Sequence, residues 1–145
     1  MLYLEDFAPG QIYRSTTPVT VTEGEVSAFG HAFDPQPFHT DPLAARDSFF
    51  MGLAASGWHT AALTMRLLVT QGPAIAGGII GAGIEDLRWP RPTRPGDALS
   101  IEMTVLEMRE MRSKPDLGLV RMLVTTLNQR GETAQEMICP LVVPR

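Results

Sequence analysis

The 145-residue chain has a single cysteine, Cys139, and no excess of positive charge. One cysteine excludes an internal disulfide framework and is typical of a reducing cytoplasm, which is the location we expect. The formal net charge of −4 argues against a nucleic-acid partner, because such proteins present clustered Lys and Arg. The three histidines show no metal-ligand spacing, so we expect no metal site.

The sequence also lacks a long uninterrupted apolar run. Its longest apolar tract, residues 52–69, is interrupted by five polar side chains: Ser56, His59, Thr60, Thr64 and Arg66. This tract is too polar for a lipid-exposed span. The first ten residues, MLYLEDFAPG, are acidic where a signal peptide has a basic start. We therefore expect neither a membrane segment nor a secretory leader.

Length and composition predict one globular domain over residues 1–145. Hydrophobic residues make up 44% of the chain and charged residues 19%, which is the balance of a folded protein with a buried core. Residues 11–21 are rich in β-branched and aromatic side chains and predict a first strand, with Pro18 at an edge or bulge.

Three segments that follow predict helices. Thr22 and Glu25 have the spacing of a capping box, which predicts a short helix up to Phe33. Asp41 before Pro42 predicts a second start, of one or two turns. The third helix begins at Ser56-Gly57 and ends at Gly72-Pro73.

The third helix is predicted to be the buried centre of the fold. Its main apolar face is assigned by the i, i+3, i+4 spacing to Trp58, Ala61, Ala62, Met65, Leu68 and Val69. Leu63 and Leu67 widen this stripe. A helix that is apolar over most of its circumference is expected to be wrapped by a larger element.

The second half of the chain predicts that wrapping element. Four segments have strand character: residues 78–89, 98–111, 117–129 and 133–143. Short turn sequences separate them, so the strands are expected to be linked as hairpins and to pair antiparallel. The predicted fold class is therefore α+β, an antiparallel sheet wrapped around one long central helix.

Residues 33–41, FDPQPFHTD, place Asp34 and His39 five residues apart between prolines. Prolines do not suit the middle of a helix or a central strand, so this segment is predicted to be a rigid loop. A carboxylate can take a proton from water, and an imidazole can hold that water or relay a proton. The helix start at Ser56-Gly57 adds unpaired N–H groups that suit a developing oxyanion.

Three stretches carry a family resemblance: FDPQPFHTDPLAA, GLAASGWHTAAL and GAGIEDLRWPRPTRPGDAL. They resemble the MaoC-like dehydratases, also called R-specific enoyl-CoA hydratases, over nearly the whole chain. Asp34, Pro37 and His39 match the family motif Asp-x-Asn-Pro-x-His, while Gln36 stands where Asn is usual. Ser56 stands where many members have a histidine before the glycine.

The resemblance implies a hotdog fold and an acyl-CoA substrate. It implies that Asp34 and His39 are the catalytic pair, which adds water to a 2-enoyl thioester or removes it. The Gly57 N–H is then the contact for the thioester oxygen, with Ser56 and Trp58 beside it in the substrate site. No metal or redox cofactor is implied.

Two further expectations concern contacts outside the pair. Arg88, Arg91 and Arg94 are candidates for the phosphates of coenzyme A, because guanidinium forks match phosphate oxygens, and equally for a solvated rim. A homodimer or larger assembly is expected, because one curled sheet around one helix leaves an open edge and an apolar flank.

Other readings of the same residues stay open. A hotdog thioesterase would direct water to the thioester carbonyl carbon with the same carboxylate. A non-catalytic acyl-CoA-binding protein would keep the pocket without turnover. Asp34 in a proline-flanked turn could simply cap backbone N–H groups. Cys139, in a strand before Pro140, is expected to be a buried apolar filler rather than a nucleophile.

Overall fold

The structure is a computed structural model that describes residues 1–145. The predicted capping box at Thr22 starts its first α-helix. The Thr22 hydroxyl accepts from the Glu25 N–H, and the Glu25 carboxylate accepts from the Thr22 N–H. After a 3-10 turn at Leu4–Asp6, the elements in chain order are β1 Ile12–Arg14, β2 Val19–Thr20, α1 Glu23–Phe33, α2 Pro37–Thr40, α3 Pro42–Arg46, α4 Gly57–Gln71, β3 Ile80–Gly81, β4 Glu85–Arg88, β5 Ala98–Glu110, β6 Leu117–Leu127 and β7 Thr133–Pro144.

The strands form one antiparallel sheet of seven in the order β1-β5-β6-β7-β3, with β2 also on β5 and β4 also on β7. The long strands β5, β6 and β7 form successive hairpins, as predicted. Side chains alternate along β5, where Leu99, Ile101, Met103 and Val105 are buried. They belong to the same hydrophobic core as Leu63, Leu67 and Leu68 of α4, so the sheet and the central helix share one core.

Two predicted strands are each divided in the structure. Residues 11–21 give β1 and β2, and residues 78–89 give β3 and β4, separated by a segment in which Gly83 has a positive φ of 157°. The predicted hairpin between residues 78–89 and 98–111 is wrong, because β3 and β4 pair with β7. Both edges of β5 are already occupied, by β6 on one side and by β1 and β2 on the other.

The buried face of α4 also differs from the prediction. The buried residues of this helix are His59, Thr60, Leu63, Thr64, Leu67 and Leu68. Trp58, Met65 and Val69, which were predicted on the main apolar face, are 61%, 41% and 60% exposed. Leu68 is fully buried as predicted. The centre of the buried stripe is therefore displaced toward Thr60 and Thr64.

Paired hydroxyl groups explain this displacement. The Thr60 hydroxyl donates to the Thr93 hydroxyl at 3.0 Å, and the Thr64 and Thr126 hydroxyls are 2.6 Å apart. The hydroxyl groups of Thr60 and Thr64 therefore keep hydrogen-bond partners although burial removes their contacts with water. The predicted buried face of α4 was wrong at Trp58, Met65 and Val69 because it was assigned from hydrophobic side chains alone.

The segment between α1 and α4 contains two short helices, α2 within the predicted loop and α3 at the predicted start after Asp41. Pro37 takes the first position of α2, where its missing N–H costs nothing, so the predicted loop of residues 33–41 contains one helical turn. Gly30 of α1 packs directly on this turn, because a Cβ built there would lie 2.7 Å from the His39 carbonyl oxygen. This close approach fixes α2 against the end of α1.

No helix of the chain is both long enough and apolar enough to cross a bilayer.

Leu68→Ala tests the placement of α4. The side chain is fully buried in the core, so we expect a loss of about 2–5 kcal/mol from lost burial and a residual cavity. Thr70→Ala is the matched control on the exposed side, with an expected change within about 0.5 kcal/mol. Urea unfolding of both variants checks this, and equal losses would contradict the assigned helix face.

Candidate active site

Asp34 lies at the end of α1, and three side chains hold its carboxylate. The Gln36 amide donates to Oδ1 at 2.6 Å, and the Ser56 hydroxyl donates to Oδ2 at 2.8 Å. The His39 Nε2 is 3.2 Å from the same Oδ2. Gln36, which replaces the usual Asn, therefore takes part in fixing the carboxylate.

His39 lies on α2 and is almost completely buried. Its Nδ1 is 2.6 Å from the Ala54 carbonyl oxygen, which can only accept, so Nδ1 carries a hydrogen. Nε2 consequently faces Asp34 with a hydrogen only in the imidazolium form, and with a lone pair in the neutral form. The imidazole packs nearly perpendicular to the Phe38 ring at a centroid distance of 4.6 Å. These contacts leave the ring one orientation.

The hydrogen bonds to Asp34 set its charge state. Partial burial by itself would raise the pKa of this carboxyl group, but donation from Gln36 and Ser56 and the nearby His39 outweigh burial. The pKa of Asp34 therefore lies below its ordinary value. The group is ionised at neutral pH and is available as a proton acceptor.

Ser56 joins the two halves of the site. It is fully buried and is the N-cap of α4, where its hydroxyl accepts from the Trp58 N–H at 3.3 Å and donates to Asp34. It was predicted as a substrate contact, but its side chain does not line the cavity. We assign it as a positioning residue behind the Asp34 carboxylate.

Gly57 opens α4 and contributes a backbone N–H that donates to no group of the protein. The glycine is required by a neighbour that the sequence did not indicate: a Cβ built here would lie 2.5 Å from Cε2 of Trp89. The indole of Trp89 is held by a hydrogen bond from its Nε1 to Gln135 at 2.9 Å, and it meets Trp58 edge-on at 5.4 Å. Trp89 is therefore a wall of the site at the start of α4.

These groups share one cavity of about 510 Å³. Its polar lining includes Asp34, His39 and the backbone at Gly57. Its aromatic lining consists of Phe38, Phe49, Phe50, Trp58 and Trp89. A pocket with mainly apolar walls and a few convergent polar groups is typical of small-molecule sites.

The three predicted phosphate contacts lie in different surroundings. Arg91 lines the cavity and pairs with Glu132 at 3.2 Å on the exposed rim. Arg88 is exposed at the end of β4 and does not line the cavity. Arg94 donates inward to the carbonyl groups of residues 50, 52 and 53, so it supports the wall that carries Phe50. Its guanidinium is engaged there, and only Arg91 meets the cavity.

Two other titratable residues, His59 and Cys139, do not line the cavity. His59 is buried against Phe29, with ring centroids 4.8 Å apart, and burial lowers its pKa, so it remains neutral. Cys139 is buried in the core, and burial raises the pKa of its thiol to about 11, so it is an apolar filler as expected. No group of three or more His, Cys, Asp and Glu side chains comes together as a metal site would require.

The sequence did not indicate several residues that build the site. Trp89, the Ala54 carbonyl and the inward-directed Arg94 come from segments distant in the chain from the Asp34 loop. The RWPRPTRPGD stretch contains Trp89 and Arg94, but no spacing rule relates it to Gly57.

The curled antiparallel sheet around α4, with a carboxylate and an imidazole at the helix start, defines a hotdog domain. Residues 6–128 match the MaoC like domain family, and the chain belongs to this family. The predicted resemblance and fold class are confirmed.

Three known proteins are similar over most of the chain. The solved MaoC-like dehydratase from Rhodospirillum rubrum is 54% identical with a TM-score of 0.95, covering 100% of this chain and 98% of that one. The uncharacterized protein YdeM of Bacillus subtilis is 30% identical over 127 residues, 88% of either chain. The unliganded R-hydratase PhaJ1 from Pseudomonas aeruginosa is 26% identical with a TM-score of 0.75, covering 99% of this chain and 86% of that one.

Ser56→Ala tests whether the Ser56 hydroxyl lowers the pKa of Asp34. Removing one donor to the carboxylate should raise the pKa of Asp34 toward its ordinary value, because the charged form loses a hydrogen bond. The stability that the depressed pKa contributes is present at neutral pH and is lost as pH falls through the folded-state pKa. Carbon-detected NMR titration of the Asp34 carboxyl group measures the shift.

Thr22→Ala is the matched control for that substitution. Thr22→Ala removes the N-cap of α1, and Ser56→Ala removes the N-cap of α4. Each loss costs about 1 kcal/mol of stability. Thr22→Ala, however, removes no hydrogen bond to Asp34. The pKa of Asp34 should stay unchanged in Thr22→Ala. An equal shift in both variants would show that loss of stability, not the hydrogen bond, moves the pKa.

Proposed function

We propose that this protein is an acyl-CoA hydratase or dehydratase, which adds water to a 2-enoyl thioester or removes it. The observation that carries the proposal is the ionised Asp34 carboxylate held 3.2 Å from a buried His39, in one cavity with the unpaired N–H of Gly57. This arrangement supplies a base, an acid and an oxyanion contact. Membership of the MaoC-like family and similarity to an R-hydratase support the same class.

In the proposed hydration, Asp34 and His39 start as carboxylate and imidazolium. Asp34 takes a proton from water as the water oxygen bonds to the β-carbon, and the π electrons move toward the thioester oxygen. The Gly57 N–H at the start of α4 stabilises the resulting enolate. His39 Nε2 then gives its hydrogen to the α-carbon, which completes the addition of one water molecule.

The contact between the two side chains restores the starting state. After addition, Asp34 is protonated and His39 is neutral, with the hydrogen on Nδ1 retained by Ala54. The proton on Asp34 returns to Nε2 across the 3.2 Å contact with Oδ2. Dehydration follows the same steps in reverse. No metal or redox cofactor takes part in the proposed reaction steps.

The proposal also covers the residues that contact coenzyme A and the cellular compartment. Arg91, on the cavity rim, is the residue we propose for a phosphate of coenzyme A, and Arg88 on nearby β4 is a second contact outside the cavity. Trp58 would cover the thioester arm at the mouth. The single, buried thiol of Cys139 suits a reducing compartment, and we propose the cytoplasm.

We also propose that a second copy of this chain covers the outer side of α4. Trp58, Met65 and Val69 form an exposed apolar stripe along this helix, and no part of the chain's own sheet covers it. Trp58 belongs both to this stripe and to the wall of the cavity, so a second copy seated there would close the mouth of the site.

Asp34→Asn separates catalysis from local capping. The amide keeps the shape of the carboxylate but cannot take a proton, so enoyl-CoA hydration should fall by at least about 10²–10⁴-fold. His39→Gln should lose a similar factor. The double variant should lose far less than the product of the two factors, because the two groups act in one addition and pass a proton between them. Loss of the conjugated absorbance of crotonyl-CoA measures the rate.

The thermal midpoint of each variant is recorded beside its rate. In Asp34→Asn, the amide oxygen can still accept from Gln36, and the Ser56 hydroxyl can turn to accept from the amide nitrogen, so the fold should survive. Glu23→Gln is the matched control, an equal loss of one exposed carboxylate in α1 away from the cavity, and it should leave the rate unchanged. Full activity in a folded Asp34→Asn protein would contradict the proposed mechanism.

Sedimentation velocity tests the proposed assembly. The protein should sediment as a dimer or a larger species, and Val69→Glu should dissociate it, because a charge would be buried on the apolar stripe. Thr70→Glu, an exposed neighbour outside the stripe, should leave the assembly intact. A monomer that is fully active at dilute concentration would refute the second copy.

A further inference from the structure

The inner end of the cavity is polar, unlike its aromatic walls. Phe49 and Trp58 at the mouth are exposed, whereas Thr60 and Thr93 are each only 2% exposed and still line the same cavity. Residues that line a cavity while almost fully buried lie at its depth. The two threonines therefore lie on the enclosed side of the cavity, together with the buried His39 and Ala55.

The hydrogen bonds at this inner end leave one donor unused. The Thr60 hydroxyl donates to the Thr93 hydroxyl at 3.0 Å, so Thr93 acts as the acceptor in this pair. The Thr93 backbone is fixed, because its carbonyl accepts from the Ala55 N–H at 2.8 Å. The Thr93 hydroxyl has its own hydrogen as well, and that hydrogen reaches no acceptor in the protein.

A second threonine pair one turn along α4 makes the contrast clear. The Thr64 hydroxyl donates to the Thr60 carbonyl and lies 2.6 Å from the Thr126 hydroxyl. It also accepts from the Gln135 amide at 3.3 Å. This pair does not line the cavity and finds its partners within the protein. The unused donor is therefore particular to the pair that faces the cavity.

Charge at the inner end limits the kind of acceptor that fits. Apart from His39, the only cation among the lining residues is Arg91, which lies on the exposed rim and pairs with Glu132. His39 is already paired with Asp34. A carboxylate next to Thr93 would therefore be taken out of water without a cation of its own, which costs far more than one hydroxyl donor returns. An uncharged oxygen, as in a hydroxyl or ketone group, carries no such cost.

We propose that the Thr93 hydroxyl forms, with Thr60, a subsite for an uncharged hydrogen-bond acceptor on a short acyl chain. The inference rests on the proposed function in taking an acyl thioester as the ligand. The cavity of about 510 Å³ also has to hold the thioester and the adjoining arm of the carrier, so the chain is short. The preferred substrate class is a short enoyl thioester with an oxygen near its far end.

Two substrates of equal size test the subsite. 2-Hexenoyl-CoA ends in a methyl group, and 5-hydroxypent-2-enoyl-CoA has a hydroxyl group at the same position. The wild-type protein should favour the hydroxylated substrate by about 3- to 10-fold in kcat/KM, the factor expected from one neutral hydrogen bond. 4-Carboxybut-2-enoyl-CoA should be disfavoured against both. A preference for 2-hexenoyl-CoA, or for the carboxylate, would overturn the proposal without any variant.

Substitutions assign the preference to one hydroxyl group. Thr93→Val keeps nearly the same shape and should bring the ratio of the two kcat/KM values close to one, while Thr93→Ser should restore the preference. Thr126→Val removes an equally buried, hydrogen-bonded threonine outside the cavity and should leave the ratio as in wild type. A preference that persists in Thr93→Val, or that is lost equally in Thr126→Val, would overturn the assignment. Thr93→Ala replaces Thr93→Val if that variant is not folded.

Binding of saturated analogues separates this inference from the proposed function. Calorimetry with 5-hydroxypentanoyl-CoA and hexanoyl-CoA needs no turnover, and the hydroxylated analogue should bind about 3- to 10-fold more tightly. Such a preference, lost in Thr93→Val, would support the subsite even in a protein that hydrates neither substrate. Hydration of both enoyl substrates with equal binding of the analogues would keep the function and overturn the subsite.

Discussion

The hydrogen bond from the Ser56 hydroxyl to Asp34 connects the two parts of the chain that make the site. Ser56 caps the central helix, while Asp34 ends the first helix, twenty-two positions earlier in the sequence. This contact ties the carboxylate to the start of α4 beside the Gly57 N–H and, after Gln36 and together with His39, lowers the pKa of Asp34. Because Ser56 is fully buried, the core of the domain fixes the geometry of the site.

The features of the site that follow from local chemistry could be predicted from the sequence. Asp34 and His39 are separated by a proline-containing segment, and Ser56-Gly57 has the signature of a helix start. The structure brings all four into one place. The overall α+β arrangement was also predictable, since hairpin turns between the long strands allow only antiparallel pairing.

The parts that could not be predicted depend on contacts between distant segments. The buried face of α4 was displaced because Thr60 and Thr64 find hydroxyl partners on Thr93 and Thr126, which no periodicity reveals. Gly57 was expected to present its N–H to the thioester oxygen, but no pattern indicated Trp89, the neighbour that requires a glycine there. The charge of an arginine likewise does not indicate whether it lines the cavity, as Arg91 does, or donates to backbone carbonyl groups, as Arg94 does.

Incubation of crotonyl-CoA with the protein in water labelled with heavy oxygen, followed by mass spectrometry, tests the account most directly. Asp34 directing water to the β-carbon predicts a single heavy oxygen in the acyl part of an intact 3-hydroxyacyl-CoA, formed at least about 10²-fold more slowly with Asp34→Asn. Heavy oxygen in a free carboxylic acid, with release of coenzyme A thiol, would mean that water attacks the carbonyl carbon instead. Unlabelled crotonyl-CoA alone, in the presence of folded protein that binds it, would contradict catalysis altogether.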